Sequence, residues 1–451
     1  MFRSSQLVCL LCIFVNLSAA AQPGWSHASR NTSGVSPMRL RAPRLVWQAS
    51  LAGRETVRIA GAGSGKIAVL AEPRPRIENG VYVPHSIQLA AFDVKTGAPA
   101  WRKEILGGDL RTVADDSRLY MSLQGPQVSY DTFDFHEDTV WFQIVTFRWS
   151  DGRMGWQVFS RDTRNMLVWK GQLLYDIRSD NYLHTWLIAV NAATGEQQWA
   201  RSEVPDDTET GKTHWKMTRN EINGLFAARD VLYAYDDTRD PDGEYLSAID
   251  PATGKTTRST LLYPLYRPTT HLSALTWIPQ AQVLVSAIEQ NTTPGINLYQ
   301  MRALDSAGKP VWEHADVGQF QVVSNALVCR TYSAQSGEFP NGFVGLDPAT
   351  GHQLWRQAAA IEADGYGDLN LGEWHGQAVV LLDRQLCGLN PRTGKMLWAL
   401  TVLPSRKTPV RKEARIVGDV IIIALGGTRE RPAQVRAYAL RSGQTVSHTR
   451  R

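Results

Sequence analysis

Ala91-Phe92-Asp93-Val94-Lys95-Thr96-Gly97, followed at a short distance by Trp101, is the stretch on which the fold turns. An apolar run ends in Asp, a Thr-Gly turn follows, and a tryptophan stands four residues beyond the glycine. Each part has a local reason. Asp and Asn hydrogen-bond the backbone two residues on and so start turns. Glycine takes positive φ at no steric cost. The alternating apolar residues on either side read as two antiparallel strands. A tryptophan on the second of them can bury about 150–250 Å² against a neighbouring sheet.

The same unit returns with Asn191, Gly195 and Trp199; with Asp347, Gly351 and Trp355; and with Asn390, Gly394 and Trp398. Four further copies are degraded. Asp250 and Gly254 keep the turn, but Arg258 stands where tryptophan belongs. Asp305 and Gly308 are one residue closer together and retain Trp312. Gly152 with Trp156 has Arg148 at the Asp position, and Gly443 leads to Ser447. Proline after Asp or Asn, as at 251, 348 and 391, suits the first central position of a turn.

A second feature recurs out of phase with the first. Short apolar strands lie upstream of each turn, at 67–70, 119–122, 173–176, 231–235, 283–286, 326–329, 378–382 and 420–424. Between Trp101 and Ser447 the spacing averages about 49 residues per unit, and four strands in ~40–50 residues make one propeller blade. A β-sandwich gives no reason for one turn-plus-tryptophan to repeat in this way. The expectation is therefore an all-β chain, an eight-bladed β-propeller with four-stranded blades; seven or nine blades are the alternatives. The segment 45–49, carrying Trp47, looks like an outer strand with no turn before it. Such an orphan is what ring closure needs, because it covers an edge that an open ring would expose. It either displaces a weak fourth strand at 445–449 or adds outside it.

The chain has 451 residues, 43% hydrophobic and 20% charged, as expected of a soluble globular protein. Its start reads as a secretory signal over 1–21: Arg3, then a short apolar run at 7–17, then Ala19-Ala20-Ala21. A lead-in at 22–44 and a single propeller at 45–451 complete the expected organisation. Cys9 and Cys12 fall inside the signal and follow Val8 and Leu11, so they lack the small residue that a lipid-anchoring cysteine wants before it. Cys329 and Cys387 alone remain, too few for a disulfide scaffold. The net charge of +5 is spread along the chain, without the concentrated basic patch that nucleic-acid binding requires.

The turn-plus-tryptophan unit resembles the PQQ-like, or tryptophan-docking, propeller repeat. The segment from Trp25 to Pro37 is similar to the lead-in of exported BamB-like repeat proteins. The resemblance implies one of two functions. Quinoprotein dehydrogenases hold pyrroloquinoline quinone and Ca²⁺ on the propeller axis, with a vicinal cysteine pair, carboxylate and amide metal ligands and an Asp base. BamB-like scaffolds bind protein partners and carry no cofactor. This chain has no adjacent cysteines beyond the signal, which favours the scaffold branch. The expectation is a non-catalytic, monomeric, exported scaffold with a protein or cell-envelope partner, no transmembrane segment and no nucleic acid. The alternatives are a PQQ-dependent oxidoreductase with Ca²⁺ or a carbohydrate-active propeller. Fold alone does not decide between them.

Three tempting motifs carry no chemistry. The run from Gly61 to Lys66 lacks the first glycine and the Ser or Thr of a phosphate loop, so it reads as a hairpin turn. The acidic run from Asp236 to Glu244 is broken for Ca²⁺ by Thr238 and Arg239 and reads as a solvated loop. His184, His271 and His375 are scattered rather than spaced as ligands. The functional lead is loop length. In a four-stranded blade the second-to-third and fourth-to-first connections share one face, and the insertions at 72–85, 125–139, 202–223, 290–297 and 333–341 all fall there. Functional residues concentrate in loops on rigid scaffolds. On that face Arg406, Lys407, Arg411 and Lys412 place four cations within seven residues, a candidate contact for an acidic partner.

Overall fold

A computed structural model of the chain describes residues 42–439, outside the stretches 52–53, 55, 74–75, 79–80, 84–85, 107, 125–141, 161–162, 164, 179–184, 203–221, 229, 237–243, 264–269, 294–295, 333–339, 359–368, 383–384, 403–411 and 428–430. The described residues form eight four-stranded antiparallel sheets and no helix, arranged as an eight-bladed β-propeller. Blade 1 consists of Thr56–Gly63, Lys66–Glu72, Ser86–Asp93 and Pro99–Leu106, from the axis outward. Blades 2 to 7 follow in chain order over 108–160, 166–202, 222–263, 270–315, 317–358 and 369–401.

Blade 8 takes Lys412–Val417, Val420–Leu425 and Ala433–Ala439 from the end of the described chain and Arg44–Leu51 from its beginning. Arg44–Leu51 pairs directly with Ala433–Ala439, so the N-terminal strand takes the fourth place in the blade rather than lying outside another strand. The alternative tail strand at 445–449 lies outside the described residues.

Burial explains the strand order. Second strands are covered on both faces by neighbouring blades and read as continuous apolar runs, as in Ile67-Ala68-Val69-Leu70-Ala71 and Val420–Leu425. Outer strands are mostly exposed; Met396–Thr401 buries Trp398 alone. The core is accordingly divided. Eight clusters of buried side chains occur, one at each interface between adjacent blades, including the interface that joins blade 8 to blade 1.

Inner strands carry a recurrent irregularity. The register slips between Ile59 and Gly61, Ile222 and Gly224, Leu272 and Ala274, Gly318 and Phe320, and Asn370 and Gly372. A bulge of this kind bends a strand and re-aims a side chain, and bulges gather at barrel rims and beside sites. Here they stand on the strands nearest the axis. Gln319 is a bulged residue and adopts a φ of +35°.

The turn carboxylates give the fold an acid limit. Asp93, Asp151 and Asp250 each accept backbone N–H bonds, chiefly from Thr96, Arg153 and Ala252, which hold their carboxyls below the ordinary value of 3.8. A depressed folded pKa means stability that is present above the unfolded value and lost as pH falls through the folded one. The melting temperature is therefore expected to decline as pH drops below about 4. Asn does the same capping without charge at Asn191 and Asn390. Replacing all three aspartates by Asn should flatten that acid limb in scanning calorimetry, and an unchanged limb would refute the assignment.

Candidate functional site

The repeated residues assemble into docking turns. Asp93 Oδ1 accepts from the Lys95 and Thr96 N–H groups and the Thr96 hydroxyl at 3.0, 2.8 and 2.9 Å. Gly97, at a φ of +72°, donates its N–H back to the Asp93 carbonyl at 2.9 Å. The Trp47 indole of the preceding blade lies on Gly97; a Cβ there would stand 2.5 Å from its ring. Trp47 Nε1–H donates to the Val94 carbonyl at 2.8 Å. Glycine is thus required for the turn and again for the ring that lies on it.

The same arrangement joins successive blades. Trp101 lies on Gly152 and donates to the Trp149 carbonyl, and Trp156 lies on Gly195 and donates to Ala192, both at 3.0 Å. Trp199 on Gly254 reaches Pro251 at 2.8 Å, Trp312 on Gly351 reaches Pro348 at 2.9 Å, and Trp355 on Gly394 reaches Pro391 at 2.7 Å. In blade 2 the degraded turn is held by Asp151, which accepts from Arg153 N–H and from Arg148, the residue in the Asp position. The shortened turn of blade 5 closes from Gly308 N–H to the Asp305 carbonyl at 3.0 Å.

Two places depart from the pattern. Arg258 donates to the Ser306 carbonyl at 3.1 Å, so the guanidinium takes over the indole's hydrogen bond without its bulk. Trp398 donates to the Gln377 side chain at 2.6 Å, and the turn bearing Gly443 lies outside the described residues. These residues build blade interfaces.

The opposite face holds the long connections. Arg406, Lys407 and Arg411 lie outside the described residues, and Lys412 opens the inner strand of blade 8. The insertion at 72–85 contains an extra ribbon, Arg76–Glu78 paired with Val81–Val83. The expected loop at 290–297 is corrected: Val283–Thr293 and Ile296–Leu304 stay paired to Thr293 and Ile296. The β-branched Thr292 and Thr293 favour continuation of the strand. Residues 125–139, most of 202–223, and 333–339 lie outside the described residues, as do 237–243 between Asp236 and Glu244.

His375 sits in the inner hairpin of blade 7, on the short-turn face, with Nε2 3.6 Å from Asp419 Oδ1. It is thus at the end of the blades away from the long loops. His184 and the His271 side chain lie outside the described residues. Ser64-Gly65 forms a hairpin turn, as the sequence implies.

A buried polar cluster stands toward the long-loop end of blades 5 and 6. Glu289 is 6% exposed and accepts from the Tyr299 hydroxyl at 3.1 Å. Burial pushes its carboxyl above the ordinary range, while Tyr299 and the charge of Arg330 oppose the shift. Arg330, 8% exposed, donates to the side chain of the bulged Gln319 at 2.6 Å. In blade 3 the fully buried Asp176 accepts from Asn165 N–H and from its side-chain amide at 2.6 and 2.8 Å. Sequence reading passed over these groups. Their signal was a charge inside an apolar second strand, as in Val283-Leu284-Val285-Ser286-Ala287-Ile288-Glu289.

Among the described residues no three His, Cys, Asp or Glu side chains gather as a metal site. Glu289 and Asp176 stand in different blades. Cys329 and Cys387 are buried, free and in separate blades, so they form neither a bridge nor a vicinal pair. The docking turns hold neighbouring blades together, and the long connections occupy the opposite face.

Residues 297–450 match the family model described as outer membrane protein assembly factor BamB. A stretch of 178 residues, 37% of this chain, is 26% identical to quinohemoprotein alcohol dehydrogenase ADH-IIG of Pseudomonas putida, and it spans only 22% of that enzyme. The solved structure of the P. putida enzyme superposes with a TM-score of 0.52 at 12% identity, covering 88% of this chain and 76% of the other. A europium-containing methanol dehydrogenase gives 0.51 at 12% identity, covering 88% and 93%. The Dos1 propeller gives 0.52 at 10% identity, covering 88% and 95%. At such identities the structural likeness is one of fold. Together with the docking turns, these matches support a PQQ-like propeller protein.

Proposed function

We propose that this chain is an exported, non-catalytic scaffold that binds a protein or envelope partner through its long-loop face. The observation that carries the reading is the asymmetry of the two faces. On one, short turns are capped by Asp or Asn and pinned by an indole or guanidinium from the neighbouring blade. On the other, connection length varies from the two residues at 294–295 to the long stretch at 203–221. A rigid body with one variable face suits recognition, because ordering is completed before the partner arrives. The family match over residues 297–450 supports the same branch. The four cations at Arg406, Lys407, Arg411 and Lys412 suit an acidic partner.

The second reading, a PQQ-dependent dehydrogenase, is favoured by the similarity to the P. putida enzyme. Titration of the purified protein with pyrroloquinoline quinone and Ca²⁺, followed by absorbance and thermal melting, separates the two. A ligand that binds only the native state adds about 2.7 kcal/mol at a hundredfold excess over Kd. The scaffold reading expects no dose-dependent rise in melting temperature. A saturable rise would overturn it in favour of the dehydrogenase.

A further inference from the structure

The interface between blades 4 and 5 is unlike its neighbours. Arg258, exposed on the outer strand Thr256–Tyr263, stands where buried or half-buried indoles stand elsewhere. The receiving turn is nevertheless kept: Gly308 has a φ of +84°, and the Ser306 carbonyl faces Arg258. At six other turns the glycine is covered by an indole; the atoms nearest a Cβ at Gly308 belong instead to the side chain of Thr260.

The two sheets have not closed over the missing ring. A cavity of about 410 Å³ lies between them, walled by Tyr233 and Leu246 from blade 4 and by Trp277 and Leu284 from blade 5, with Thr257, Arg258, Thr260, Asp305 and Ser306 as polar members. That volume lies within the ~300–1,000 Å³ of small-ligand pockets, which are apolar with a few placed polar groups.

We propose that the cleft between blades 4 and 5 is a binding site for a tryptophan side chain presented by a partner polypeptide. The molecule itself states what the position takes, since six interfaces fill it with an indole carried on an extended strand. A polypeptide source fits the surroundings. The outer strand of blade 4 is exposed from Thr256 to Ser259, and a free sheet edge accepts an added strand. The site includes Asp305, Ser306 and Gly308, so it opens toward the short-turn face and is independent of the long-loop reading above.

The test uses the full chain with methyl-labelled Leu and Val and N-acetyl-L-tryptophanamide as the probe. Saturable shifts are expected at the Val231, Leu246, Leu284 and Leu304 methyls, with a Kd in the high-micromolar to millimolar range set by ligand efficiency. The leucine analogue should bind about tenfold more weakly, because ring-on-ring contact adds to area burial. Arg258→Trp should fill the cleft, raise the melting temperature and abolish the shifts; Val231→Phe fills it from the other wall should Arg258→Trp fail to fold. Absence of shifts in the wild type, shifts confined to other methyls, or equal binding of the leucine analogue each overturn the proposal. Contacts in the free protein between these methyls and another tryptophan of the same chain would also overturn it, by showing the site already filled. None of these results bears on the long-loop face, which the quinone titration tests separately.

Discussion

Trp355→Ala is expected to cost about 3–5 kcal/mol of unfolding free energy, the range for truncating a buried aromatic. Three losses combine at this residue. The ring is 8% exposed and belongs to the blade 6–7 cluster with Phe343, Val380 and Leu389. Its Nε1–H donates to the buried Pro391 carbonyl at 2.7 Å, and that acceptor would be left without the indole. Finally, Gly345 and Gly394 are both shaped around the ring: a Cβ on Gly345 would stand 2.1 Å from Nε1, and one on Gly394 2.6 Å from the ring carbons. Neither glycine offers atoms to refill the space, so the site cannot collapse well. Trp398→Ala should fall in the same range through loss of Trp374, at 5.9 Å between ring centroids, and of Gln377. Arg258→Ala, at the matching but exposed position, should stay within about 1 kcal/mol. Chemical denaturation reads all three. A cost below about 1 kcal/mol at both tryptophans would remove indole docking as the basis of the repeat.

That contrast marks how far sequence reading reached. Turn residues act locally, so Asp93, Gly97 and their copies declared themselves by identity and spacing. Eight units followed, and Trp47, a docking tryptophan with no turn before it, announced the closing strand. What stayed hidden depends on contacts across blades. Nothing in the text around Gln319 signals a bulge, because a register slip belongs to a pair of strands rather than to one. Glu289 and Arg330 look like stray charges until blades 5 and 6 are set side by side. Arg258 was visible as a missing tryptophan; the cavity behind it was not, since its volume depends on whether Tyr233 and Trp277 move in to fill it.

The two buried polar groups also bear on function. A carboxyl that burial pushes above its ordinary range, as at Glu289, is a familiar acid–base candidate. Its neighbours here are a tyrosine hydroxyl and an arginine that itself donates to the side chain of the bulged Gln319. This is the composition of a network that fixes an inner strand near the long-loop end, which a recognition face needs as much as an active site does.

Deletion of residues 42–51 is expected to have the larger effect of the two, because it removes the strand that completes blade 8. The strand pairs along its length with Ala433–Ala439, and its removal turns that segment into an unprotected sheet edge. It also removes Trp47 and Leu51 from the cluster that joins blade 8 to blade 1, and it uncovers Gly97. Two buried large-to-small losses at about 2–5 kcal/mol each, plus a whole ladder of backbone bonds, approach the 5–15 kcal/mol by which a typical domain is stable at all. The contact from Ile59 N–H to the Glu413 carboxylate at 2.7 Å and the rest of the cluster, with Val57, Ile67, Val420 and Ile422, survive the deletion, but blade 8 is left with three strands. The truncated protein should therefore lose its cooperative melting transition and aggregate through the exposed edge. Adding the peptide 42–51 in trans should restore cooperativity by strand addition, and the same peptide with Trp47→Ala should restore it poorly. A truncated protein that remains monomeric and melts like the full chain would show that another strand can take the fourth place in blade 8. Ring closure by the N-terminal strand would then be dispensable.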